Sequence, residues 1–215
     1  MHFGNLQKIR NGKRTFAITP DIPGGFVSAD TLEKIAKVSR KYNGVLKITS
    51  GQRILITNLK EEDLGIIWKE LEMKPAVKSA NSVKNVEICP AGFCKRSKHN
   101  IIGMGIKLHK KYMTMPMPCR TKIGVAGCRN SCGSVYAKDV GIIADVTGIM
   151  VVAGGSAGYN PRIADIKAKD LSEETALQLV DKIFEVSQKE AELGEKLSFM
   201  IERVGLEEFK KKVLV

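Results

Sequence analysis

Four cysteines in two close pairs are the residues of this sequence whose spacing most suggests chemistry. Cys89 and Cys94 enclose Pro-Ala-Gly-Phe, and Cys128 and Cys132 enclose Arg-Asn-Ser. Two local pairs that a fold brings together can supply four thiolates to an iron–sulfur cluster. A structural zinc, whose ligands also come in close pairs, stays open on this spacing, as do ordinary buried thiols.

The rest of the sequence favours a metal or redox role for the thiols over a disulfide framework. The first sixteen residues contain no apolar run of the kind found in a secretory signal. The most apolar stretch, Gly141 to Gly155, is interrupted by Asp145 and is too short to span a bilayer. We therefore expect a cytoplasmic protein without a membrane partner, where five cysteines would stay reduced.

The charge of the chain indicates an anionic partner. Lysine and arginine total 35 against 23 acidic residues, a formal net charge of +12. Nucleic acid, an acidic protein or a multiply anionic ligand could each match it, and a solvated basic surface is the plain alternative. Because only 6% of residues are aromatic, platforms for stacking bases are scarce, and we predict no nucleic-acid partner. A zinc- or cluster-stabilised nucleic-acid binder remains an alternative.

The elements of the first third follow the order β-α-β-β-α-β. A helix is expected to begin near Asp30, where Asp30 and Glu33 have capping-box spacing, and to end at Gly44. A second helix runs over 64–71 and is stopped by Pro75. This order predicts a ferredoxin-like unit, with strands at 15–19, 45–49, 53–57 and 83–89.

The remainder mixes strands with helices, so the predicted fold class is α+β. A long helix from Leu171 to Leu193 is expected behind an Asp170 and Glu173 capping box, and a shorter helical stretch closes the chain. No linker or repeat is visible. We predict two domains that pack together, 1–78 and 79–215, the second with strands at 122–126, 141–146 and 149–153.

The second cysteine loop carries a family resemblance. Gly127-Cys128-Arg129-Asn130-Ser131-Cys132-Gly133 is similar to the G-C-x-N-x-C-G signature of siroheme-containing sulfite and nitrite reductases. Other stretches resemble that family in the same order along the chain. They are Ile22–Gly25 (L-P-G-G), Lys47–Arg53 (R-I-T-x-x-Q), Val140–Ile143 (V-G-L-V), Val152–Gly155 (H-L-G-G) and Glu202–Phe209 (E-R-V-G-x-E-x-F).

The resemblance implies a [4Fe–4S] cluster and a siroheme. In that family a C-x5-C pair and a C-x3-C pair hold the cluster, and the last cysteine also bridges to the siroheme iron. The implied cluster ligands are Cys89, Cys94, Cys128 and Cys132, with Cys132 as the bridge, although the first pair here is one residue short. Residues 1–78 would be the ferredoxin-like domain, and 79–215 a mixed α/β domain that binds both cofactors. The implied siroheme-binding residues are Thr49, Gln52, Asn130, Cys132, Gly154 and Gly155.

The resemblance also implies cationic residues at the substrate. Pro118–Lys122 resembles the family's K-x-K segment, and residues two apart on a strand share a face, so Arg120 and Lys122 could bind one anion. A solvent-facing strand edge is the alternative for this pair. The family's arginine before P-G-G has no counterpart here, and Gly51 stands in place of a second one. Neighbouring Arg53 is the third catalytic candidate, with a surface salt bridge as its alternative, and Lys47 is weaker.

The implied reaction is six-electron reduction of sulfite to sulfide. No nucleotide-binding G-x-G-x-x-G motif is visible, so electrons would come from an external low-potential donor such as ferredoxin or flavodoxin. Nitrite reduction to ammonia at the same site and a non-catalytic [4Fe–4S] electron carrier are the alternatives. Large family members contain two copies of this two-part unit. With one copy, either a second subunit completes the pocket, as in a homodimer, or the siroheme is more exposed.

Three further side chains are assigned no role. Cys119 is interpreted as inert packing, with a thiol near the bound anion as the alternative. His99 and His109, in a basic segment expected to be helical, are interpreted as surface residues rather than axial ligands.

Overall fold

The computed structural model describes residues 3–9, 12–76 and 78–214. The chain divides into two compact units, Met1–Lys78 and Ser79–Val215, and each has its own hydrophobic core.

The first unit is a four-stranded antiparallel sheet with two helices. Its strand order is β1-β2-β4-β3, and the β3–β4 hairpin pairs Val45 with Thr57 and Ile48 with Ile54. A 3₁₀ turn at Pro23–Gly25 precedes the first helix. Apolar side chains of the helices and strands form the core on one face of the sheet. The elements are β1 Asn5–Leu6, β2 Phe16–Ile18, α1 Ala29–Lys41, β3 Val45–Ile48, β4 Ile54–Leu59 and α2 Leu64–Leu71.

The N-terminus of α1 differs from the sequence prediction. The N-cap is Ser28, whose hydroxyl accepts a hydrogen bond from the Thr31 backbone N–H, and Asp30 lies inside the first turn. A hydroxyl at the N-cap satisfies one of the unpaired backbone donors, while an acidic side chain in the first turn interacts with the helix dipole. The predicted capping box at Asp30 and Glu33 is therefore wrong.

The second unit is a five-stranded mixed sheet with four helices. The strand order is β5-β6-β7-β8-β9, in which β5, β6 and β7 run parallel and the last two strands are antiparallel. Helix α3 forms the crossover between β5 and β6, as parallel neighbours require. The elements are β5 Val83–Ile88, α3 Ile102–Tyr112, β6 Thr121–Ala126, β7 Val140–Ala144, β8 Ile149–Ala153, β9 Ile166–Leu171, α4 Glu173–Glu190, α5 Leu197–Val204 and α6 Leu206–Val213.

The strand that starts at Val83 belongs to the second sheet. We predicted it as the last strand of a βαββαβ unit, but it pairs in parallel with β6, from Val83 opposite Thr121 to Ile88 opposite Val125. In the first unit, the short N-terminal β1 pairs at the edge beside β2 instead. The α+β class with a ferredoxin-like half followed by a mixed α/β part is confirmed.

The start of α4 shows a second error of the same kind. Ser172 is the N-cap and accepts a hydrogen bond from the Thr175 backbone N–H, so the predicted box at Asp170 and Glu173 is wrong. Residues Ile166–Leu171 form β9, an edge strand that the sequence analysis did not predict.

The second sheet is covered on both faces. Apolar side chains such as Ile123 and Val125 pack against the helices, while Ala126 and Ile143 belong to a smaller cluster with Val135, which lies in the 3₁₀ turn Val135–Ala137. Among the residues that the structure describes, no helix combines the length and apolar character needed to cross a bilayer.

Candidate active site

The two cysteine loops leave the sheet side by side. β5 and β6 are parallel neighbours, so their carboxyl ends lie at the same edge, and Cys89 and Cys128 follow directly in the two loops. The Cys89 N–H still donates to the Val125 carbonyl at 2.9 Å, which continues the pairing to the first cysteine. The first loop then makes a 3₁₀ turn at Ala91–Phe93 and reaches the exposed Cys94.

Gly127 interlocks the two loops. Its N–H donates to the Cys89 sulfur at 3.0 Å, and its carbonyl accepts from the Lys98 N–H at 2.8 Å. A Cβ at this position would lie 2.3 Å from the Ser97 hydroxyl oxygen and 2.7 Å from the Ala91 Cβ. Glycine is required here because the loops approach too closely for any side chain.

The second loop turns through left-handed backbone. Ser131 and Ser134 have φ values of 48° and 53°, and the Ser131 hydroxyl accepts the Val135 N–H at 2.9 Å. The Asn130 side-chain amide donates to the Cys132 sulfur at 2.9 Å. Donors aimed at sulfur stabilise thiolates, and they raise the reduction potential when the sulfurs bind a cluster.

Three of the thiols act on one another electrostatically. Burial raises the pKa of the Cys89 thiol; the Gly127 amide opposes this, and the neighbouring Cys128 and Cys94 thiols raise the pKa further. Within the described ranges, no three His, Cys, Asp or Glu side chains lie close enough together to share one metal ion. The ligands of a four-iron cluster lie farther apart, because each thiolate binds a different iron.

These residues fit both groups that the resemblance implies. Four thiols stand on two interlocked loops, and amide donors already point at two of the sulfurs. Cys132 is exposed, and a Cβ on the adjacent Gly133 would meet no atom within 4 Å. The chain is therefore open at Cys132 and at the residue that follows it, which leaves room for a large group at the cysteine that the resemblance assigns as the bridge to siroheme.

Packing within the unit accounts for the glycines at 154 and 155. Gly154 has a φ of +84°, which favours glycine. A Cβ on Gly155 would lie 2.3 Å from the Tyr136 carbonyl oxygen and 2.5 Å from that of Lys138. Their role beside a macrocycle stays a prediction.

Lys122 is the second residue of β6, whereas Arg120 directly precedes the strand, so the two do not both lie on it as the sequence predicts. Arg120 is exposed, whereas Lys122 is half-buried and pairs in register with Asn85 of β5. Burial lowers the pKa of Lys122, and the positive charges of Arg120 and Lys138 lower it further, while Glu87 and Asp139 oppose the shift. Lys122 therefore faces a group of charged side chains, which does not suit a plain solvent-facing edge.

The charged groups around Lys122 were not selected from the sequence. The Asp139 carboxylate accepts the Lys122 backbone N–H at 2.8 Å, and Lys138 forms a 2.6 Å ion pair with Glu87. The sequence indicates these two acidic residues only indirectly. Glu87 stands between two apolar residues of a predicted strand, and Asp139 directly precedes a run of apolar residues.

The structure does not bring the cationic pair and the cysteines together within this unit. Lys122 stands at the start of β6, and the second cysteine loop follows its end at Ala126. Lys122 and Ala126 are four residue steps of extended strand apart, about 13 Å between Cα atoms.

The remaining predicted residues lie on one turn of the first unit. The Thr49 hydroxyl donates to the Arg53 carbonyl at 3.0 Å and accepts the Arg53 N–H at 3.3 Å, so it holds the β3–β4 turn. Gln52 has a φ of 57°, and a Cβ on Gly25 would lie 3.1 Å from its Cβ. The Pro23–Gly25 and Thr49–Arg53 segments are thus neighbours. Arg53 is half-buried, and exposed Lys47 lies on β3.

The minor candidates differ in burial. Cys119 is half-buried beside Arg120, and His99 is exposed. His109 is only 6% exposed, on the inner side of α3, so its interpretation as a surface residue is wrong. Helical spacing places it on the same face as Gly105, four residues before, and Tyr112, three residues after, both of which are buried.

Two family models match the chain. The one described as "Nitrite and sulphite reductase 4Fe-4S domain" matches residues 79–215, and the one described as "Nitrite/Sulfite reductase ferredoxin-like half domain" matches residues 7–74. Together they account for nearly all of the sequence.

Curated relatives agree with the family models. An assimilatory-type sulfite reductase of Nitratidesulfovibrio vulgaris is 31% identical over 208 residues, which cover 96% of this chain and 95% of that protein. A nitrite reductase [NAD(P)H] of Emericella nidulans is 36% identical over 182 residues. The match covers 83% of this chain but only 16% of the fungal protein.

A solved structure shares the fold. Dissimilatory sulfite reductase I superposes with a TM-score of 0.77 at 15% identity, over 94% of this chain and 69% of that one.

Proposed function

The chain belongs to the nitrite and sulfite reductase family, whose members are oxidoreductases with a [4Fe–4S] cluster and siroheme, and we propose that it reduces sulfite to sulfide with six electrons. The observation that carries the proposal is the interlocked pair of cysteine loops, in which Gly127 joins the Cys89 sulfur to the loop of Cys128. The full-length match to an assimilatory-type sulfite reductase supports sulfite as the substrate.

We propose that Cys89, Cys94, Cys128 and Cys132 hold the cluster and that Cys132 also binds the siroheme iron. When bound, the cluster would pass on electrons that an external donor supplies, and the siroheme would provide the site at which the anion is reduced. The amides of Gly127 and Asn130 orient and stabilise two of the sulfurs. Thr49, Gln52, Asn130, Gly154 and Gly155 remain the proposed contacts of the macrocycle.

We propose that the cationic residues bind and orient the substrate. Sulfite loses its oxygens as water, so positive charge and protons are needed beside those oxygens. Arg120 supplies a fixed charge, and half-buried Lys122 can hold or give a proton at its Nζ. Arg53 is the third proposed member of this set.

The test is the visible spectrum of protein purified without oxygen from a host that makes siroheme. We expect bands of a reduced tetrapyrrole that shift when dithionite and sulfite are added, followed by sulfide production. A cluster absorbance that sulfite does not change would favour a non-catalytic electron carrier. A colourless protein containing zinc would contradict the proposal.

Nitrite is the second candidate substrate. Relatives named as nitrite reductases match 83% of this chain. Steady-state rates with sulfite and nitrite, measured with one reductant, decide between them, and we expect the larger kcat/KM for sulfite.

We propose an acidic electron carrier, of the ferredoxin or flavodoxin kind, as the donor. The segment after the first cysteine pair presents Phe93, 81% exposed, next to Cys94. Lys95, Arg96 and Lys98 follow, all exposed and without an ion pair to any residue that the structure describes. A positive, partly apolar surface beside a cluster ligand suits an acidic protein.

The arrangement of the whole protein is also proposed. A homodimer could bring Arg120 and Lys122 of one copy to the cysteine end of another, since they stand at opposite ends of β6; light scattering of the pure protein would measure this. We further propose the cytoplasm as its location, because it keeps thiols reduced. The ferredoxin-like domain is proposed to span 1–78 and the cofactor domain 79–215.

A further inference from the structure

Asp139 joins three segments of the second unit from a buried position. This aspartate is only 2% exposed. One carboxylate oxygen accepts the Lys122 backbone N–H at 2.8 Å, and the other accepts the Lys196 ammonium at 3.3 Å. The Asp139 carbonyl accepts the Gly154 N–H at 2.9 Å. The start of β6, the residue before α5 and the turn after β8 therefore meet at one aspartate.

A second buried pair lies beside it. Lys138 reaches Glu87 at 2.6 Å, with side chains that are 12% and 10% exposed. The Lys138 side chain reaches Glu87 by crossing β6 at Gly124, where a Cβ would lie 2.9 Å from the Lys138 Cγ. Gly124 is opposite Glu87 in the sheet, so the missing side chain makes room for this ion pair.

The charges of this group do not cancel. Among the residues that the structure describes, Glu87 and Asp139 are the carboxylates set against Lys122, Lys138 and Lys196, and Arg120 adds a fourth positive charge beside Lys122. Three of these cations are half-buried and Arg120 is exposed. An excess of partly buried positive charge favours an added anion, because nearby charge of opposite sign offsets the loss of hydration. Two surplus positive charges match a doubly charged oxyanion.

We propose that Asp139 is a positioning residue for the anion-binding pair: its carboxylate accepts the Lys122 backbone N–H and so fixes the start of β6, which holds Arg120 and Lys122 together. This inference rests on the proposed role of Arg120 and Lys122. Asp139 itself acts through the strand and need not touch the substrate.

The sign of the pH effect follows from the surroundings of Lys122. Burial, Arg120 and Lys138 lower the pKa of Lys122, and Glu87 and Asp139 raise it. Protonated Lys122 binds the anion, so affinity falls as pH rises through this pKa. Without the negative charge at Asp139 the pKa drops further, and affinity falls at a lower pH.

Two substitutions distinguish the hydrogen bond that Asp139 accepts from the Lys122 N–H from the effect of its negative charge. In Asp139→Asn an amide oxygen can still accept the Lys122 N–H, but the charge is gone. In Asp139→Ala both are lost. Asp181→Asn is the matched control, because this carboxylate accepts Tyr112 and Lys111 elsewhere in the same unit.

The experiment measures sulfite binding by the visible spectrum of the loaded full-length protein across pH. For Asp139→Asn we expect affinity within about twofold of the parent at the acidic end, with the alkaline loss moved down by about one pH unit. For Asp139→Ala we expect about tenfold weaker binding at every pH. The control should follow the parent.

A second measurement needs neither substrate nor turnover. Trace acetylation followed by peptide mass spectrometry reports the neutral fraction of each lysine against pH. Lys122 should become reactive at a lower pH in Asp139→Asn than in the parent, and Lys107 should not change.

Each result has one meaning. Parent-like binding and labelling in both Asp139 variants would overturn the inference while leaving sulfite reduction intact. Labelling that shifts as expected in a protein whose spectrum ignores sulfite would instead contradict the proposed function and support the role of Asp139 in holding Lys122 charged.

Discussion

Cys132 differs from Cys89 in how open its sulfur is. Cys89 is half-buried at the end of β5 and accepts the Gly127 amide, whereas Cys132 is exposed, with the Asn130 amide as its donor. An open sulfur can bind a second metal centre on its free side, while an enclosed one cannot. Cys94 is exposed as well, so exposure separates Cys132 from Cys89 but does not select it among the four, and its bridging role stays what the resemblance implies.

We expect Cys132→Ser to lose the electronic coupling between siroheme and cluster. A serine hydroxyl is a poor ligand for iron at neutral pH, because it stays protonated where a thiol ionises. Electron paramagnetic resonance and the visible spectrum check this, with sulfide production falling below about 1% of the parent rate. Cys119→Ser, at a half-buried thiol outside the two loops, is the control and should keep both signals. Unchanged spectra in Cys132→Ser would remove this cysteine from the ligand set.

Gly127→Ala is expected to prevent cluster assembly. The added Cβ would come within 2.7 Å of both Ser97 and Ala91, so the two loops must separate. Overpacking of this kind costs about 1–3 kcal/mol, and here it also displaces the donor to Cys89. Iron and sulfide bound per chain are the measurement. In Gly103→Ala the new Cβ meets nothing within 4 Å, so parent-like iron content is expected. Equal iron content in both variants would contradict the interlocking role of Gly127.

At this scale the sequence predicted the thiols but not their surroundings. Cysteine pairs are visible as spacing, and glycines beside them as composition. The Lys122–Asp139 contact joins residues 17 apart, and Lys138–Glu87 joins residues 51 apart. Such pairs depend on strand order and register, which local patterns do not specify.

At the scale of elements, the N-caps of two helices differ from those that the sequence predicts. Both α1 and α4 begin after a serine that is followed by acidic residues in the first turn, Asp30 in one case and Glu173 and Glu174 in the other. The sequence pattern favours an aspartate with a glutamate three residues later in both places. Serine was the better choice because its hydroxyl reaches the backbone donor of the third residue after it.

We expect Ser28→Ala and Ser172→Ala to lower the free energy of unfolding by about 1 kcal/mol each. Each removes a side-chain oxygen that accepts a first-turn N–H. Urea unfolding followed by circular dichroism measures the change. Asp30→Ala should cost less, about 0.5 kcal/mol, since it removes only an interaction with the helix dipole. A larger loss at Asp30 than at Ser28 would restore the capping box that the structure replaces.

Strands were predicted well where apolar residues alternate and less well where pairing is distant. The β3–β4 hairpin and β6, β7 and β8 lie within a few residues of their predicted bounds. The strand at Val83 was found, but its sheet was not, because its partner β6 follows a whole helix later. The sequence analysis does not predict β9, although Ile166 and Ala168 alternate with lysines. It assigns Leu171, the last residue of this strand, to the helix that follows.

The net charge of +12 concerns the molecule as a whole. Charge of one sign speeds encounter with an oppositely charged partner, and salt screens this effect. Such a surface also attracts anions without selecting among them, so the position of the unpaired cations matters more than their number. Lys95, Arg96 and Lys98 stand beside Cys94, a proposed cluster ligand, whereas Lys210, Lys211 and Lys212 near the C-terminus pair with glutamates.

We expect reduction by an acidic ferredoxin to slow by about tenfold or more between 20 and 300 mM salt. Replacing Lys95, Arg96 and Lys98 by glutamine should produce a similar loss at low salt, measured by stopped-flow absorbance. The control replaces Lys210, Lys211 and Lys212 by glutamine, which removes the same charge elsewhere and should have a small effect. Equal losses in both triple variants would mean that only total charge matters and that the donor has no preferred surface.

Strand β3 has a consequence for handling the protein in the test tube. It is an edge strand, every residue from Val45 to Ile48 is exposed, and Ile48 is 83% exposed. An open edge with apolar side chains offers its unpaired backbone groups to any other extended chain, and Lys47 is the one charge that discourages such pairing. Concentrated stocks should therefore form β-rich aggregates from this edge, and storage at low concentration should protect the preparation.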